Sequence, residues 1–382
     1  MVGGGVLVIP LSSERSGSVR HWHAVAVSID PAPVPVSVPR PVLAAFGLAA
    51  ADTVEPLGAG HIHQTFRVAG DTVVQRLNGR VFADLDQLMA NRERITAHLR
   101  RCRPEWADRS PVRAETGALM VEDPPTGRWR AHPFVPGTVP GHDADLEDLR
   151  AAGAAFGAYL TAMQELDPPP VETISGFHDL GHRRRALADA VATDRAGRAV
   201  TSRTELERAR DLEPVLAAIA DLIGGLPVRT VHNDAKLANV VLDPRDRTPR
   251  AILDLDTTMA GTVVADLGEL VRSSVSATAE DRSAPSRTNV VDPQRFAAIV
   301  AGYLAGCGDR LTADERSICT WAGPLLSYEN GIRYLADHLD GDRYFAIDRA
   351  GHNLERARAQ LSLTEDLVEA QDDLTAALAS AI

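Results

Sequence analysis

The residues best suited to chemistry lie in one short segment, Val231-His-Asn-Asp-Ala-Lys-Leu-Ala-Asn-Val-Val-Leu-Asp243, followed by Ala251-Ile-Leu-Asp-Leu-Asp256. Asp234 and Asn239 lie five positions apart, and Asp254 follows fifteen positions later, across a predicted turn. A strand–turn–strand hairpin returns the chain, so Asn239 and Asp254 can converge. Phosphoryl transfer needs a carboxylate to take the acceptor proton, oxygen ligands for Mg²⁺ and a cation for the transferring group. The segment supplies all three.

Lys236 is the only lysine among the 40 basic residues of the chain. Arginine is therefore the default cation of this protein, and a position that keeps lysine needs a chemical reason. A compact, flexible ammonium group is not equivalent to a planar guanidinium. This bias marks Lys236 as a candidate functional residue.

The spacing His-x-Asp-x-Lys-x-x-Asn, followed by Asp, resembles the catalytic loop of the protein-kinase-like superfamily. The resemblance implies that Asp234 is the catalytic base and that Asn239 and Asp254 are magnesium ligands. It also implies that Lys236 reaches the γ-phosphate of ATP and that His232 braces the loop. A solvated acidic hairpin is the alternative, but the full pattern between two apolar strands favours the catalytic interpretation.

A glycine-containing turn precedes the first strands and carries Gly58 and Gly60. Glycines let backbone donors approach phosphates closely, although an ordinary hairpin would contain them as well. A kinase also needs a cation on the third strand, held by a carboxylate on the next helix. Arg76 is the available cation and Glu93 its natural partner, unless both are solvated surface residues.

The segment 132–135 is the predicted hinge between two lobes. The resemblance places Phe134 and Val135 near the adenine of ATP, and a buried strand would show the same apolar pattern. These residues complete the predicted nucleotide half of the site.

The elements around these residues follow from hydrophobic periodicity and turn signals. Predicted strands are Ile62–Val68 and Val73–Leu77, joined by a turn at 69–71, then Leu119–Val121, Trp129–Val135, Val228–Val231, Asn239–Asp243 and Ala251–Leu255. Predicted helices are Asp86–Arg101, Leu146–Leu166, Arg183–Val191 and Arg203–Ile223, with more helix toward the C-terminus and a polar loop at Ala277–Asp292.

This order is typical of a protein that binds a nucleotide in a cleft between two lobes. The resemblance of the catalytic loop implies an α+β, bilobal, protein-kinase-like fold of the aminoglycoside phosphotransferase (APH) type. Residues 1–40 are rich in Gly, Ser, Pro and Val, and they are predicted to be a disordered extension. Residues 41–135 form a small, β-rich nucleotide-binding lobe in this interpretation. Residues 136–382 form a large helical lobe with the catalytic loop and the acceptor site.

Within this superfamily, the chain resembles bacterial N-acetylhexosamine 1-kinases from about residue 55 to 362. The matching stretches are Val74–Phe82, Leu88-Met, Arg94–Leu99, His232–Lys236, Asp254–Thr257, Gly261, Asp266–Gly268, Arg272, Glu329–Leu335, Gly341–Phe345 and His352–Leu354. By position, the resemblance implies that Thr257, Arg333 and Tyr344 line a sugar site. It also implies that Asp266 braces the catalytic loop.

Three positions depart from that family. His63 stands where the family prefers Asn, Ala235 where it prefers Thr, and Ala260 where it prefers Pro. These changes leave the residues for phosphoryl transfer intact. They bear on the acceptor and on the turn that covers the phosphates.

The charge and composition of the chain argue against some classes of binding partner. The formal net charge is −12 and the pI about 5.5, whereas binding to a nucleic-acid backbone needs a basic face. Three widely spaced cysteines indicate a reducing cytoplasm without a disulfide framework. No run approaches the ~20 apolar residues that span a bilayer. We expect no nucleic-acid or membrane partner, and a monomer or homodimer.

The expected activity is transfer of phosphate from ATP, with Mg²⁺, to a hydroxyl of a sugar or sugar-like polyol. A hexose or amino sugar modified at its anomeric hydroxyl is the first acceptor class, and a cyclitol is a variant. One alternative is an aminoglycoside kinase, which would need additional carboxylates such as Glu365, Asp366 and Glu369. Another is a nucleotide-binding pseudokinase. A protein kinase is disfavoured because no activation segment with its closing motif is evident.

Overall fold

The computed structural model describes residues 37–49, 52–57, 62–276, 291–345 and 347–382. Most of the predicted N-terminal extension, most of the predicted loop 277–292, and both Gly58 and Gly60 lie outside these ranges. The predictions made for them stay predictions.

Within the described residues, the N-terminal lobe is built on an antiparallel sheet with the strand order β1-β2-β3-β5-β4. Its strands are β1 (Val54–Pro56), β2 (Gln64–Val68), β3 (Thr72–Arg76), β4 (Val121–Asp123) and β5 (Gly127–Pro133). The predicted β2–β3 hairpin is confirmed, with Val68 opposite Thr72. Antiparallel neighbours need only a tight turn, which Ala69 and Gly70 make with positive φ angles.

Side chains alternate between the two faces of this sheet. Phe66, Val74 and Trp129 point to one face and pack with helix α1 (Arg40–Ala45). Val38 is buried in the same cluster, although it precedes the predicted lobe boundary at residue 41. The other face lies toward helix α2 (Leu85–Cys102), whose start Asp84 caps by accepting from the Gln87 N–H.

The C-terminal lobe is predominantly helical, as predicted. Its helices are α3 (Leu146–Met163), α4 (Leu180–Thr193), α5 (Arg203–Ile223), α6 (Val263–Ser274), α7 (Pro293–Cys307), α8 (Ala313–Ser317), α9 (Cys319–Asp340), α10 (His352–Glu369) and α11 (Gln371–Ala381). Among the helices described, none is both long and apolar enough to cross a bilayer.

Two short antiparallel strand pairs carry the segments around the candidate site. Strand β7 (Val240–Leu242) pairs with β8 (Pro249–Ile252), and β6 (Arg229–Val231) pairs with β9 (Met259–Gly261). The β7–β8 hairpin confirms the predicted return of the chain. It brings the residues after Ile252 back beside Asn239, since the Leu253 N–H donates to the Asn239 carbonyl at 2.8 Å.

Helices α3 and α7 approach so closely that their contact requires glycine. A Cβ at Gly153 would lie 2.2 Å from the Ile299 carbonyl oxygen, and one at Gly302 would lie 2.1 Å from the Arg150 carbonyl oxygen. Such distances are far below van der Waals contact, and the obstructing atoms belong to the backbone. The two helices therefore form a tightly packed centre of the helical lobe.

We predict that Gly302→Ala lowers the free energy of unfolding by about 1–3 kcal/mol, because the added methyl group forces the helices apart. Thermal or urea unfolding would measure it. Gly225→Ala is the matched control, since its Cβ would lie at an ordinary contact distance of 3.5 Å from its nearest neighbour, the Leu222 carbonyl oxygen. Equal stability of the two variants would contradict the close packing.

Candidate active site

The catalytic-loop candidate connects β6 to β7 and contains a 3₁₀ turn at Leu237–Asn239. The Asp234 carboxylate accepts from the Lys236 ammonium group at 2.9 and 3.1 Å. The Asn239 side-chain amide donates to the Asp234 carbonyl at 2.8 Å and to its carboxylate at 2.9 Å. The structure thus brings together three of the residues predicted from the sequence.

These contacts determine the charge states. Burial opposes ionisation of Asp234, but the neighbouring Lys236 ammonium outweighs it and lowers the pKa of Asp234. Burial likewise opposes the charge on Lys236, and Asp234 with Asp254 outweighs it and raises the pKa of Lys236. Both groups are charged at neutral pH, with side chains 20% and 29% exposed.

Asp266 on α6 fixes the start of this loop. Its buried carboxylate accepts from the backbone N–H groups of His232 at 3.1 Å and Asn233 at 2.7 Å. Burial raises the pKa of Asp266, against the effect of His232 and the two hydrogen bonds. The predicted bracing contact is therefore present in the structure.

His232 is a structural member of the loop. Its Nε2 contacts the Leu253 carbonyl at 2.8 Å, and its Nδ1 lies 3.2 Å from the Asp234 N–H. A carbonyl only accepts and an N–H only donates, so these partners assign the proton to Nε2. Phe156 and Tyr159 contact the ring edge-on. The His232 ring thus links the loop to Leu253, the residue that follows β8.

Asp254 follows β8 and has a left-handed backbone, with φ 50° and ψ 61°. Among the described residues, its half-buried carboxylate has no hydrogen-bond or ion-pair partner. The Asn239 amide uses its nitrogen on Asp234, which leaves its oxygen available. One carboxylate and one amide oxygen fit Mg²⁺, which prefers oxygen ligands and completes its shell with phosphates and water.

The predicted pair of Arg76 and Glu93 is wrong. Arg76 donates to the Thr126 carbonyl and to Gln64, whereas Glu93 pairs with Arg113 on the exposed side of α2. The reason is the alternation of β3: Arg76 shares the face of Val74, away from α2. The position on β3 that points toward α2 is occupied by an uncharged glutamine, Gln75.

A cation on the strand adjacent to β3 points toward α2. Arg130 on β5 lies opposite Gln75, and its Nε donates to the Gln75 Oε1 at 2.9 Å. Its two terminal nitrogens donate to the Asp256 carboxylate, each at 2.7 Å. Sequence reasoning missed both residues. The repeated acid in Asp254-Leu-Asp256 was the available signal for Asp256.

Two further N-lobe side chains reach the same carboxylate. His63 Nε2 lies 2.9 Å from Asp256, and Arg92 of α2 lies at 3.5 Å. His63 Nδ1 faces the Asn78 N–H, so its proton is on Nε2. We call Asp256, Arg130, Arg92 and His63 the Asp256 clamp.

Arg109 adds another buried cation to this region and contacts His132 at 3.4 Å. Burial, together with Arg92 and Arg130, lowers the pKa of Arg109 to about 9. Burial and the charge of Arg130 also lower the pKa of Arg92, to about 10. Burial and these arginines hold the pKa of His132 well below its ordinary value, so His132 is neutral. The N-lobe side of the cleft is thus cationic.

The predicted hinge residues differ in environment. Val135 is buried against Val241 and Ala251, with Leu253 packed alongside. Phe134 is half-buried, and the Arg67 guanidinium lies 3.9 Å from its ring centroid. Val135 thus belongs to an apolar surface beside the end of β8, whereas Phe134 caps the β2–β3 hairpin.

The three residues predicted to line a sugar site also lie in different environments. Thr257 is buried, and its hydroxyl donates to the His232 carbonyl at 2.8 Å, so in this structure it braces the loop instead. The Arg333 guanidinium lies 5.2 Å from the Phe177 ring centroid and 5.6 Å from that of Phe345. Tyr344 is 50% exposed, and its ring contacts that of Phe345 edge-on.

His178 connects this region to the catalytic loop. Its Nε2 lies 2.8 Å from the Asn233 carbonyl, and its Nδ1 lies 3.0 Å from the Glu329 carboxylate. Both partners accept, so the ring is a cation when Glu329 is ionised. Burial opposes this charge, but Glu329 raises the pKa of His178.

The chain is similar to known phosphotransferases and kinases in sequence pattern and in fold. The profile of the phosphotransferase enzyme family (APH) matches residues 53–304, which is more than half of the chain. A microcompartment-associated aminopropanol kinase is similar in structure, with TM-score 0.59 and 18% identity, covering 87% of this chain and 97% of that one.

Two antibiotic kinases have similar folds. The GDP complex of aminoglycoside 2'-phosphotransferase-IIIa has TM-score 0.55 and 15% identity, with 86% of this chain and 96% of that one covered. Spectinomycin phosphotransferase APH(9)-Ia, in complex with ADP and spectinomycin, has TM-score 0.54 and 14% identity, with 85% and 93% covered. At these identities, the likeness establishes the protein-kinase-like APH fold.

We predict that His178 titrates above the ordinary histidine pKa of about 6.5. The ion pair then stabilises the fold fully below that value, and its contribution is lost as the pH rises through the raised pKa of His178. NMR titration of the ring would measure this. In Glu329→Gln the pKa of His178 should fall, because the variant removes the charge that contributes most to raising it, while the effect of burial remains. An unchanged titration would contradict the pairing.

Proposed function

Because the chain belongs to the phosphotransferase enzyme family (APH), we propose that it is an ATP-dependent, cytoplasmic small-molecule kinase. Its acceptor is a hydroxyl of a sugar or sugar-like polyol, as in N-acetylhexosamine 1-kinases. One observation carries the proposal: Lys236 and Asn239 orient the ionised Asp234 carboxylate. The β7–β8 hairpin follows this loop and ends just before Asp254. An acceptor hydroxyl at Asp234 would face the transferring phosphate.

Each residue has a distinct role in this proposal. Asp234 orients the acceptor hydroxyl and accepts its proton as the oxygen attacks the γ-phosphorus of ATP. Lys236 neutralises the charge on the transferring phosphoryl group. Asn239 and Asp254 hold Mg²⁺, which when bound would neutralise phosphate charge.

The base of the nucleotide would lie on the apolar surface formed by Val135, Val241, Ala251 and Leu253. This surface adjoins the end of β8 and therefore Asp254. The cationic side chains of the N-lobe suit the triphosphate, whose own charge is negative. Gly58 and Gly60 stay proposed phosphate-covering residues.

The charge balance on the acceptor side supports a polyol over a polycation. Glu269 pairs with Arg272 at 2.5 Å and accepts from Asn330 at 2.9 Å, and Glu329 pairs with His178. Of the acidic residues considered for aminoglycoside binding, Glu365 already accepts two hydrogen bonds from Arg208. These carboxylates offer no unmatched negative charge to a polycation.

An acceptor panel tests the activity directly. We expect ADP release from MgATP with a neutral hexose, an N-acetylhexosamine or a cyclitol, and none with aminoglycosides. Asp234→Asn should lower kcat about 10²–10⁴-fold, because the variant has no base to accept the proton. Asp309→Asn, on the surface after α7, is the control and should act as wild type.

The panel also separates the alternatives. Release with aminoglycosides alone would replace the polyol proposal by an antibiotic kinase. Nucleotide binding without release for any acceptor would favour a pseudokinase. The same preparations would show by light scattering whether the protein is a monomer or a homodimer, the two states that we propose.

Lys236→Arg tests the role of the single lysine. We expect kcat to fall about tenfold or more while the Kd for ATP changes little, because the ammonium group acts on the phosphoryl group in the transition state. Single-turnover kinetics and equilibrium nucleotide binding would separate the two effects. Equal kcat for the two proteins would contradict this role.

A further inference from the structure

The Asp256 clamp joins three separate segments of the N-terminal lobe to one carboxylate. Arg130 comes from β5, Arg92 from α2, and His63 from the segment just before β2. Asp256 itself lies only two residues after Asp254, in the 3₁₀ turn Leu255–Thr257. The clamp is therefore a direct link between the N-lobe and the segment of the proposed magnesium ligand.

The composition of the clamp is unfavourable as a device for stability alone. The side chains of Asp256, Arg92 and Arg130 are each 1% exposed. Well-packed apolar residues often stabilise a core as much as a buried ion pair does. Arg92 even leaves Nε and one terminal nitrogen without a hydrogen-bond partner. What a bidentate ion pair adds is fixed geometry.

The residue that needs fixed geometry is Asp254. Its left-handed backbone is uncommon for a residue other than glycine, although aspartate tolerates it better than most, and the surrounding contacts must hold it. On the side before Asp254, the Leu253 N–H is bonded to the Asn239 carbonyl. On the side after it, the clamp holds the Asp256 side chain, and Thr173 donates to the Asp256 carbonyl at 3.0 Å.

The clamp also differs in polarity from the pair that the sequence predicted. In the predicted pair, a strand cation and a helix carboxylate lie within the N-lobe. In this structure, the strand and the helix both supply cations, and the carboxylate comes from the magnesium segment. The contact therefore spans the two lobes, so the placement of α2 and β5 bears directly on Asp254.

We propose that Asp256 is a positioning residue: gripped by Arg130, Arg92 and His63, it fixes Asp254 for metal binding and couples the N-lobe to the metal site. This inference rests on the proposed kinase function. It adds a role for residues that do not touch the acceptor. Metal binding to the nucleotide complex depends on the clamp, whereas acceptor binding does not.

The test measures Mn²⁺ binding in the presence of ADP by electron paramagnetic resonance, which requires no turnover. Asp256→Asn keeps the side-chain size but removes the charge. We expect the Kd for Mn²⁺ to rise about tenfold or more, as it does when partners of metal ligands are removed. In turnover assays, kcat should fall at fixed Mg²⁺, while the acceptor KM stays within about twofold.

Glu315→Gln is the matched control, because Glu315 is fully buried and accepts two hydrogen bonds from Arg229, at 2.6 and 2.8 Å. This variant loses a comparable ion pair that is not connected to Asp254. We expect a lowered Tm with unchanged Mn²⁺ binding. Equal weakening in both variants, or wild-type Mn²⁺ binding in Asp256→Asn, would overturn the proposal.

Arg130→Lys keeps the test decisive if Asp256→Asn does not fold. Lysine retains the charge but cannot form the bidentate contact, so the Kd for Mn²⁺ should rise here too, and unchanged binding would refute the coupling. Mn²⁺ binding by the wild-type protein in the presence of ADP separates the kinase proposal from the clamp proposal. Absence of Mn²⁺–ADP binding by the wild type would overturn the kinase proposal and this one together, whereas wild-type binding that is insensitive to both variants would overturn only the clamp.

Discussion

The geometry of the candidate site depends on one buried carboxylate, Asp266, which accepts two consecutive backbone N–H groups at the start of the catalytic loop. Asn233 has a φ of 64°, which asparagine tolerates better than most residues. In that conformation both N–H groups can point at the same carboxylate. Helix α6, which carries Asp266, packs closely on α9: a Cβ at Gly268 would lie 2.6 Å from the Ala322 carbonyl oxygen. The position of Asp234 therefore depends on the core of the helical lobe.

A second set of contacts ties this loop to the segment of Asp254. The Asn233 side-chain amide donates to the Thr257 carbonyl at 2.9 Å, and the Thr257 hydroxyl donates back to the His232 carbonyl. This reciprocal pair satisfies buried polar groups that would otherwise destabilise the fold. It also couples the position of Asp234, the proposed base, to that of Asp254, the proposed magnesium ligand.

Local patterns were sufficient to predict much of the fold and the centre of the site. Hydrophobic periodicity located helices α2 to α5, and the turn signals located the β2–β3 and β7–β8 hairpins. The contacts among Asp234, Lys236 and Asn239 lie within six residues of sequence, so motif spacing captured them. Asp266 was inferred from the family resemblance, because a contact across more than thirty residues has no local signal.

The predicted pairing of Arg76 with Glu93 was wrong because the face of the sheet to which a side chain points depends on how its strand pairs with strands far away in sequence. Local signals favoured a basic residue on β3, but the alternation of side chains turned Arg76 away from α2 and turned Gln75 toward it. The compensating cation, Arg130, lies 55 residues later and is brought opposite Gln75 only by the register between β3 and β5. Periodicity within one strand cannot reveal which neighbour supplies the charge.

The two sides of the cleft differ in charge, and the difference suits the proposed activity. On the N-lobe side, the buried arginines Arg92, Arg109 and Arg130 lie near Asp254 and Asp256, so within this group three cations face two acids. On the acceptor side, Glu269 and Glu329 each have a cationic partner. A nucleotide brings several negative charges and a polyol brings none. The excess of positive charge therefore lies where phosphates would bind, while the balanced polar groups lie where a neutral acceptor would dock.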